Sequence, residues 1–318
     1  MTALPPMIFV AGPTASGKSF LSLEISDFLK KTFGQGSEII NADATQLYDE
    51  LKILTAFPTA EQLKHVPHRL FGVLSPNDAA NVASWTKMAM VEIKRIRAEQ
   101  NVAILCGGTG LYMKAITDGI SAIPEVPMEI RQEVRCRFEK IGRDEFWNEL
   151  KKLDPESRVA KGDTQRLVRA YEIALFTGKP LSHWWNQKNE QSDFQNLFIL
   201  SFVLNPPRVA LSHACQSRIC AMIDAGAVEE VRDFRKKYEN YSGPLVNAIG
   251  YEEISLFLGG EILLKNCVER MQMRTRQYAK RQSTWFRNQM KNACFLDDFG
   301  HQHETITAIM RIISAKIH

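Results

Sequence analysis

Nowhere in its 318 residues does the chain approach the roughly 20 consecutive apolar residues that a bilayer-spanning helix needs, which excludes a helical membrane span. No C-x-x-C pair occurs among its six cysteines (Cys106, Cys136, Cys215, Cys220, Cys267 and Cys294), so neither a zinc site nor a dithiol motif is expected and the thiols are read as reduced. There is no internal repeat and no low-complexity tract. The opening MTALPPMIFVAG has no basic segment ahead of its apolar stretch; no secretory leader is read there, and the cytoplasm is the expected compartment. What is present, 45% hydrophobic and 24% charged residues, suits a globular chain with a sizeable core and excludes wholesale disorder.

The net charge is only +4, yet it is unevenly spread. Residues 262–292 carry Lys265, Arg270, Arg274, Arg276, Lys280, Arg281, Arg287 and Lys291 against the single acid Glu269, a local +7 that leaves −3 for the rest. A polyanion would therefore be drawn to one segment.

Met7–Ala11 is a short apolar run between Pro6 and Gly12, as a buried parallel strand requires. From Lys18 the apolar residues Phe20, Leu21, Ile25, Phe28 and Leu29 recur at helical spacing. Further strands are expected at 38–42, 102–106 and 197–204, with helices over about 77–100, 207–224, 226–238, 262–292 and 303–316. The alternation predicts an α/β fold, a P-loop NTPase-like parallel sheet core with a mostly helical insertion domain. The core is assigned to 1–120 and 197–318, with basic helices near its end. The insertion is assigned to 121–196, closing on a polar, linker-like stretch at 186–195.

Between the first strand and the first helix, Gly12-Pro13-Thr14-Ala15-Ser16-Gly17-Lys18-Ser19 fits G-x-x-x-x-G-K-[ST] in full. The glycines let backbone N–H groups turn onto phosphate oxygens, and the helix N-terminus adds its partial positive charge. Lys18 supplies a point charge and the Ser19 hydroxyl a ligand for Mg²⁺, so phosphate binding of the ATP-binding or nucleotide-binding kind is expected, while the loop alone does not say what is bound. An NTPase, however, ends a neighbouring strand in an acid that orients the ion. Here that strand ends Ile104-Leu105-Cys106-Gly107-Gly108, and no N-K-x-D follows elsewhere. The loop is expected to hold a phosphoryl-type group without the usual ATPase surroundings. Asp43 closes the second strand at the ligand edge of the sheet, where it reads either as a working carboxylate or as a turn or N-cap aspartate.

These blocks together resemble the tRNA dimethylallyltransferases (tRNA isopentenyltransferases), in their shorter bacterial form. The resemblance spans nearly the whole chain: GPTASGKS at 12–19, D-A-T-Q-L-Y at 43–48, V-P-H-R-L at 66–70, G-G-T-G-L-Y at 107–112, G-D-T-Q-R-L-V-R-A at 162–170, A-I-G-Y at 248–251 and T-R-Q-Y-A-K-R-Q-S-T-W-F-R at 275–287. It implies transfer of a dimethylallyl group from dimethylallyl diphosphate to N6 of adenosine 37, in the anticodon loop of a tRNA. In this reading the P-loop grips the donor's diphosphate with Mg²⁺ as cofactor, Asp43 is the general base toward N6, Thr109 touches the same region, and Arg218 is a second diphosphate clamp. On the sequence alone Thr109 reads equally as a turn residue capping the next helix, and Arg218 as a solvated helix residue.

The same resemblance implies tRNA contacts from Asp43, Ala44, Thr45, Gln46 and Thr109. In the insertion it implies Arg131 and Gln165, Arg166, Leu167, Val168 and Arg169; near the end of the chain, Lys280, Arg281, Gln282, Ser283, Thr284, Trp285, Phe286 and Arg287. A basic helix with interleaved aromatics suits a single-stranded loop from which a base is flipped. Part of it is expected to be core, with Trp285 and Phe286 inward and the Lys/Arg face outward. No membrane partner is expected, and a monomer is. Three residues depart from the family's habit: Ala44 where Ser is usual, Glu252 where a basic residue is frequent, and Gly162 where Asn is common. The rival readings are a P-loop small-molecule kinase, a prenyltransferase acting on free AMP or ADP, and a non-catalytic RNA-binding module.

Overall fold

The computed structural model describes residues 5–119, 121, 123–186 and 197–317. By Cα packing the chain divides into two compact units, Met1–Ile116 with Asn196–His318, and Thr117–Gln195.

The first unit is built on six strands: β1 (Met7–Ala11), β2 (Ser37–Asn41), β3 (His68–Arg69), β4 (Val102–Gly107), β5 (Ile199–Leu204) and β6 (Cys294–Leu296). Their order is β3-β2-β4-β1-β5-β6, and each of the five pairings is parallel. Every residue of β1 is fully buried, which is why its sequence is an unbroken apolar run: helices cover both faces of a central parallel strand. The helices of this unit are α1 (Lys18–Phe33), α2 (Ala60–His65), α3 (Val82–Ala98) and α4 (Gly110–Asp118).

The second unit holds α5 (Met128–Leu153), α6 (Thr164–Thr177) and α7 (Leu181–Asn186). The first unit resumes with α8 (Arg208–Asp224), α9 (Ala227–Lys237), α10 (Tyr251–Leu258), α11 (Leu264–Gln289) and α12 (His303–Ile317).

Leu21, Ile25 and Leu29 of α1 and Ile309 and Ile313 of α12 pack with Ile8, Val10, Ile39, Ile104 and Phe202 of the strands into one core. The second unit has its own, in which Val134, Phe146 and Leu150 of α5 meet Leu167, Tyr171 and Ile173 of α6. Gly142, at φ +76°, interrupts α5. Asp154, almost wholly buried, accepts hydrogen bonds from the backbone N–H (3.1 Å) and hydroxyl (2.6 Å) of Ser182. The linker-like stretch expected at 186–195 falls, apart from Asn186, outside the described residues.

The edge strands β3 and β6 and the short helices α2, α7 and α10 were not anticipated: two or three residues of strand leave no periodicity to read. The helix expected over 77–100 begins at Val82, because Asn81 and Ser84 form a capping box: Asn81 Oδ1 accepts from Ser84 N (2.9 Å) and Ser84 Oγ from Asn81 N (3.0 Å). Among the described residues no helix is long and apolar enough to cross a membrane. All six cysteines are free thiols.

Candidate active site

The sheet register brings the three sequence blocks together. Ala11 at the end of β1 pairs with Gly107, and Asn41 at the end of β2 pairs with Cys106. The loops that follow, 12–17, 42–44 and 108–109, therefore leave the same edge of the sheet from three adjacent strands, each about 4.8 Å from the next. At this edge Gly107 admits no side chain: a Cβ there would stand 2.1 Å from the Ala42 carbonyl.

The P-loop is held open from behind. Ala15 adopts φ +62° and packs against Leu211 and Cys215 of α8, Ala279 of α11 and Phe299. Gly300 N donates to Ser16 O at 2.9 Å. Gly17 enters α1 at φ +90°, with no side chain capping the helix and no acid in its first turn, so the helix end stays free for an anion. Lys18 Nζ donates to Pro13 O at 2.7 Å. Burial pushes Lys18 down to about 8 from its ordinary 10.5. The Ser16 hydroxyl is buried without a hydrogen-bond partner, and the Ser19 side chain is exposed.

Cys215 and Arg218 lie three residues apart on one face of α8, so the face that packs on the P-loop also aims Arg218 at the site. Burial lowers the Arg218 pKa, with Asp43 opposing the shift. Arg218 is thus a largely buried cation, not a solvated helix residue. Lys18 feels the charges of both Asp43 and Arg218, and Arg218 feels that of Asp43. Two cations against one carboxylate, beside a free helix N-terminus, form a nest suited to a multiply charged anion.

Asp43 is fixed by its own loop. Its Oδ1 accepts from Thr45 N (3.1 Å) and Thr45 Oγ1 (2.8 Å), which leaves Oδ2 for a substrate. Asn41 clamps the same turn: Oδ1 accepts from Asp43 N at 2.7 Å while Nδ2 donates to Asp43 O and Leu70 O. Thr109 N donates to Ala42 O (3.0 Å), and its hydroxyl accepts from Ala44 N (3.1 Å), keeping its own proton to donate. The phenols of Tyr112 and Tyr278 border the same carboxylate; burial first, and then the Asp43 charge, raises both. Tyr112 stacks on Trp85 at 4.2 Å, and Trp85 Nε1 donates to Asn41 O at 2.9 Å.

Helix α11 has two faces. Inward, Met271, Thr275, Ala279, Gln282 and Phe286 are buried. Outward, Lys280, Arg281, Thr284 and Arg287 are exposed. A groove of about 460 Å³ runs along Gln277, Lys280, Arg281, Thr284, Trp285, Asn288 and Gln289. Trp285 lies over the start of α4, where a Cβ on Gly110 would meet its ring at 2.1 Å.

Some residues expected to meet RNA have other work. Phe286 (1% exposed) and Leu167 (0%) are core, because an amphipathic helix must turn every third or fourth residue inward. Gln282 (6%) gives its amide to the protein: Oε1 accepts from Thr14 N at 2.8 Å and Nε2 donates to Gly108 O at 2.9 Å. Gln46 Nε2 donates to the carbonyls of Thr55 and Ala56, and Val168 packs against the core of the second unit. Arg169 pairs with Glu172 (3.1 Å) and Arg166 with Asp163 (3.4 Å), while Arg131 Nη2 is 3.9 Å from Glu125.

The departures also have local accounts. Glu252 Oε2 accepts from Arg274 Nη1 at 2.7 Å. A side chain at Gly162 would enter open space. Ala44 takes part through its backbone.

The contributions of Asn41, Tyr112 and Tyr278 were not foreseen. Asn41, a polar residue ending an apolar strand, was the available signal; the tyrosines carried none.

A family model described as IPP transferase matches residues 46–289. The chain is 41% identical to a tRNA dimethylallyltransferase of Paramagnetospirillum magneticum, over 90% of this chain and 89% of that one. It is 40% identical to one from Phenylobacterium zucineum, over 90% and 91%. Among solved structures it resembles the tRNA isopentenylpyrophosphate transferase of Bacillus halodurans (TM-score 0.70, 26% identity, 98% and 96% covered). It also resembles a eukaryotic dimethylallyltransferase described as acting on tRNA (TM-score 0.78, 25% identity, 96% and 77% covered).

Proposed function

Since the chain belongs to the IPP transferase family, we propose that it moves a dimethylallyl group from dimethylallyl diphosphate to N6 of adenosine 37 in tRNA. The reaction is prenyl transfer to tRNA, and the rival small-molecule kinase is not favoured. The observation that carries the reading is the meeting, at one sheet edge, of a cationic phosphate nest with the carboxylate of Asp43, beside a β4 that ends in Cys106 and Gly107.

In the proposed mechanism the adenine amine attacks the allylic carbon, the C–N bond forms as the C–O bond breaks, and the bonding pair leaves with the diphosphate. Lys18, Arg218 and the loop N–H groups meet the negative charge where it develops. The amine proton passes to Asp43 Oδ2, since Oδ1 is already held by Thr45. Thr109 holds the Asp43 turn through Ala44 and offers its hydroxyl proton to the acceptor. Ser19 is the residue that would hold Mg²⁺: it stands exposed one position after Lys18, and a hydroxyl oxygen is a ligand type this ion accepts. Together with the donor's own oxygens it suits an ion that keeps few protein ligands, and Mg²⁺ so bound would supply charge neutralisation on the leaving group.

The acceptor base must leave its stack to reach this edge. Lys280, Arg281, Thr284 and Arg287, with the groove beside Trp285, suit the backbone of an anticodon loop. In the second unit Arg131, Gln165, Arg166 and Arg169 are proposed as further contacts. The chain is proposed to act as a monomer, and a tRNA substrate supports a cytoplasmic site of action.

The test is incubation with labelled dimethylallyl diphosphate, Mg²⁺ and either total tRNA or AMP. Label is expected in tRNA for the wild type, and is expected to vanish for Asp43→Asn while tRNA binding stays within about twofold, a change of under 0.5 kcal/mol. Label in AMP alone, or in neither, would overturn the reading.

A further inference from the structure

Gln282 sits in the segment expected to face RNA, yet it is 6% exposed and turned into the protein. Its carboxamide bridges two loops that leave adjacent, paired strands of the sheet. Oε1 accepts the N–H of Thr14, third residue of the P-loop, and Nε2 donates to the carbonyl of Gly108 in the turn after β4. One loop belongs to the donor. The other belongs to the acceptor: Gly108 precedes Thr109, whose hydroxyl holds Ala44, and a Cβ on Gly108 would stand 3.5 Å from Asp43 Oδ2. That same Cβ would stand 2.2 Å from Gln282 Nε2, so the bridge requires glycine at 108.

From this geometry we infer that Gln282 is a positioning residue of the transfer reaction, a cross-brace that sets the separation between the diphosphate nest and the acceptor base; the inference rests on the function proposed above. The chemistry of the side chain fits the task closely. One end must accept and the other must donate, which among uncharged side chains an amide does at this reach. Glutamate would keep the acceptor for Thr14 and lose the donor for Gly108, whereas methionine would fill the space and make neither bond. The brace is carried by α11, whose opposite face presents Lys280, Arg281 and Arg287. The helix that engages RNA is thereby the helix that holds both halves of the chemistry in register. Gln282 touches neither reacting group, so its loss acts through misplacement, and a misplacement of about 1 Å is enough to slow a reaction about 100-fold.

The experiment compares full-length wild type with Gln282→Met and Gln282→Glu. Four quantities are measured: single-turnover prenyl transfer at saturating donor and tRNA, tRNA affinity, affinity for inorganic diphosphate, and melting temperature. Gln282→Met is expected to bind tRNA within about twofold of wild type, to bind inorganic diphosphate about tenfold more weakly, and to transfer about 100-fold more slowly at saturation. Wild-type transfer by Gln282→Met would overturn the inference. So would weakened tRNA affinity with an intact saturated rate, which would make Gln282 a plain RNA contact. Should Gln282→Met fail to fold, Gln282→Glu, which keeps the Thr14 bond, is judged by the same split between rate and tRNA affinity. Should the wild type itself label no tRNA, the proposed function fails and the positioning role falls with it, whereas a wild type that labels tRNA beside an equally fast variant overturns the brace alone.

Discussion

Lys18→Met should make the ligand-free protein more stable while destroying its activity. The ammonium of Lys18 is buried beside Arg218, and burial lowers its pKa from 10.5 to about 8. At about 1.4 kcal/mol for each pKa unit, the native state carries up to about 3 kcal/mol of penalty for a charged Lys18 near neutrality. Methionine fills similar space and also removes the 2.7 Å bond to Pro13 O, a loss of about 1 kcal/mol. The net expectation is a gain of about 2 kcal/mol at pH 7.

The sign with pH follows. Below the folded value both states are protonated and the penalty is fully present. Between about 8 and 10.5 the native state sheds the proton while the unfolded chain keeps it, so the wild type gains about 1.4 kcal/mol per pH unit. The advantage of the variant should therefore have closed by about pH 9.5. Denaturant unfolding of ligand-free wild type and variant, followed by tryptophan fluorescence near pH 7 and about pH 9.5, measures this directly. A variant less stable at pH 7, or a gap that does not narrow with alkalinity, would refute the account of Lys18 as a desolvated cation awaiting an anion.

Two further variants test the RNA face and its support. Lys280→Ala with Arg281→Ala should weaken tRNA binding and lower the slope of log affinity against log salt by about 2, read by filter binding across a salt series. An unchanged slope would place the phosphate contacts elsewhere. Gly110→Ala would put a methyl 2.1 Å from the Trp285 ring and should destabilise by about 1–3 kcal/mol in a thermal melt, whereas an unperturbed melt would mean that Trp285 swings freely.

The parts of the site written in consecutive residues were legible, and the parts assembled from distant ones were not. Gly12 to Ser19 must supply loop amides, a cation and a hydroxyl within one turn, so the chemistry leaves its mark on adjacent positions. The strand end at Asp43 was visible for a similar reason, since an apolar run stops where the sheet meets ligand. By contrast, Gln282 looks in the sequence like one more polar residue of a basic helix. Only folding, which brings Thr14 and Gly108 to within 3 Å of it, shows that its polarity is spent inside. The tyrosines around Asp43 were hidden because an aromatic at helical spacing reads as core whether or not a carboxylate stands beside it. Short edge strands such as His68–Arg69 exist through pairing with a neighbour and not through any pattern of their own.

The contact between Gly107 and Ala42 has a consequence for what this scaffold could become. Backbone there lies so close to backbone that no carboxylate, nor even a methyl group, can be introduced at the tip of β4 without prising two hydrogen-bonded neighbours apart. The position from which a nucleoside-triphosphate hydrolase would steer its metal is sterically sealed. A single substitution there could not convert this protein into a phosphate-transferring machine; the sheet itself would first have to open.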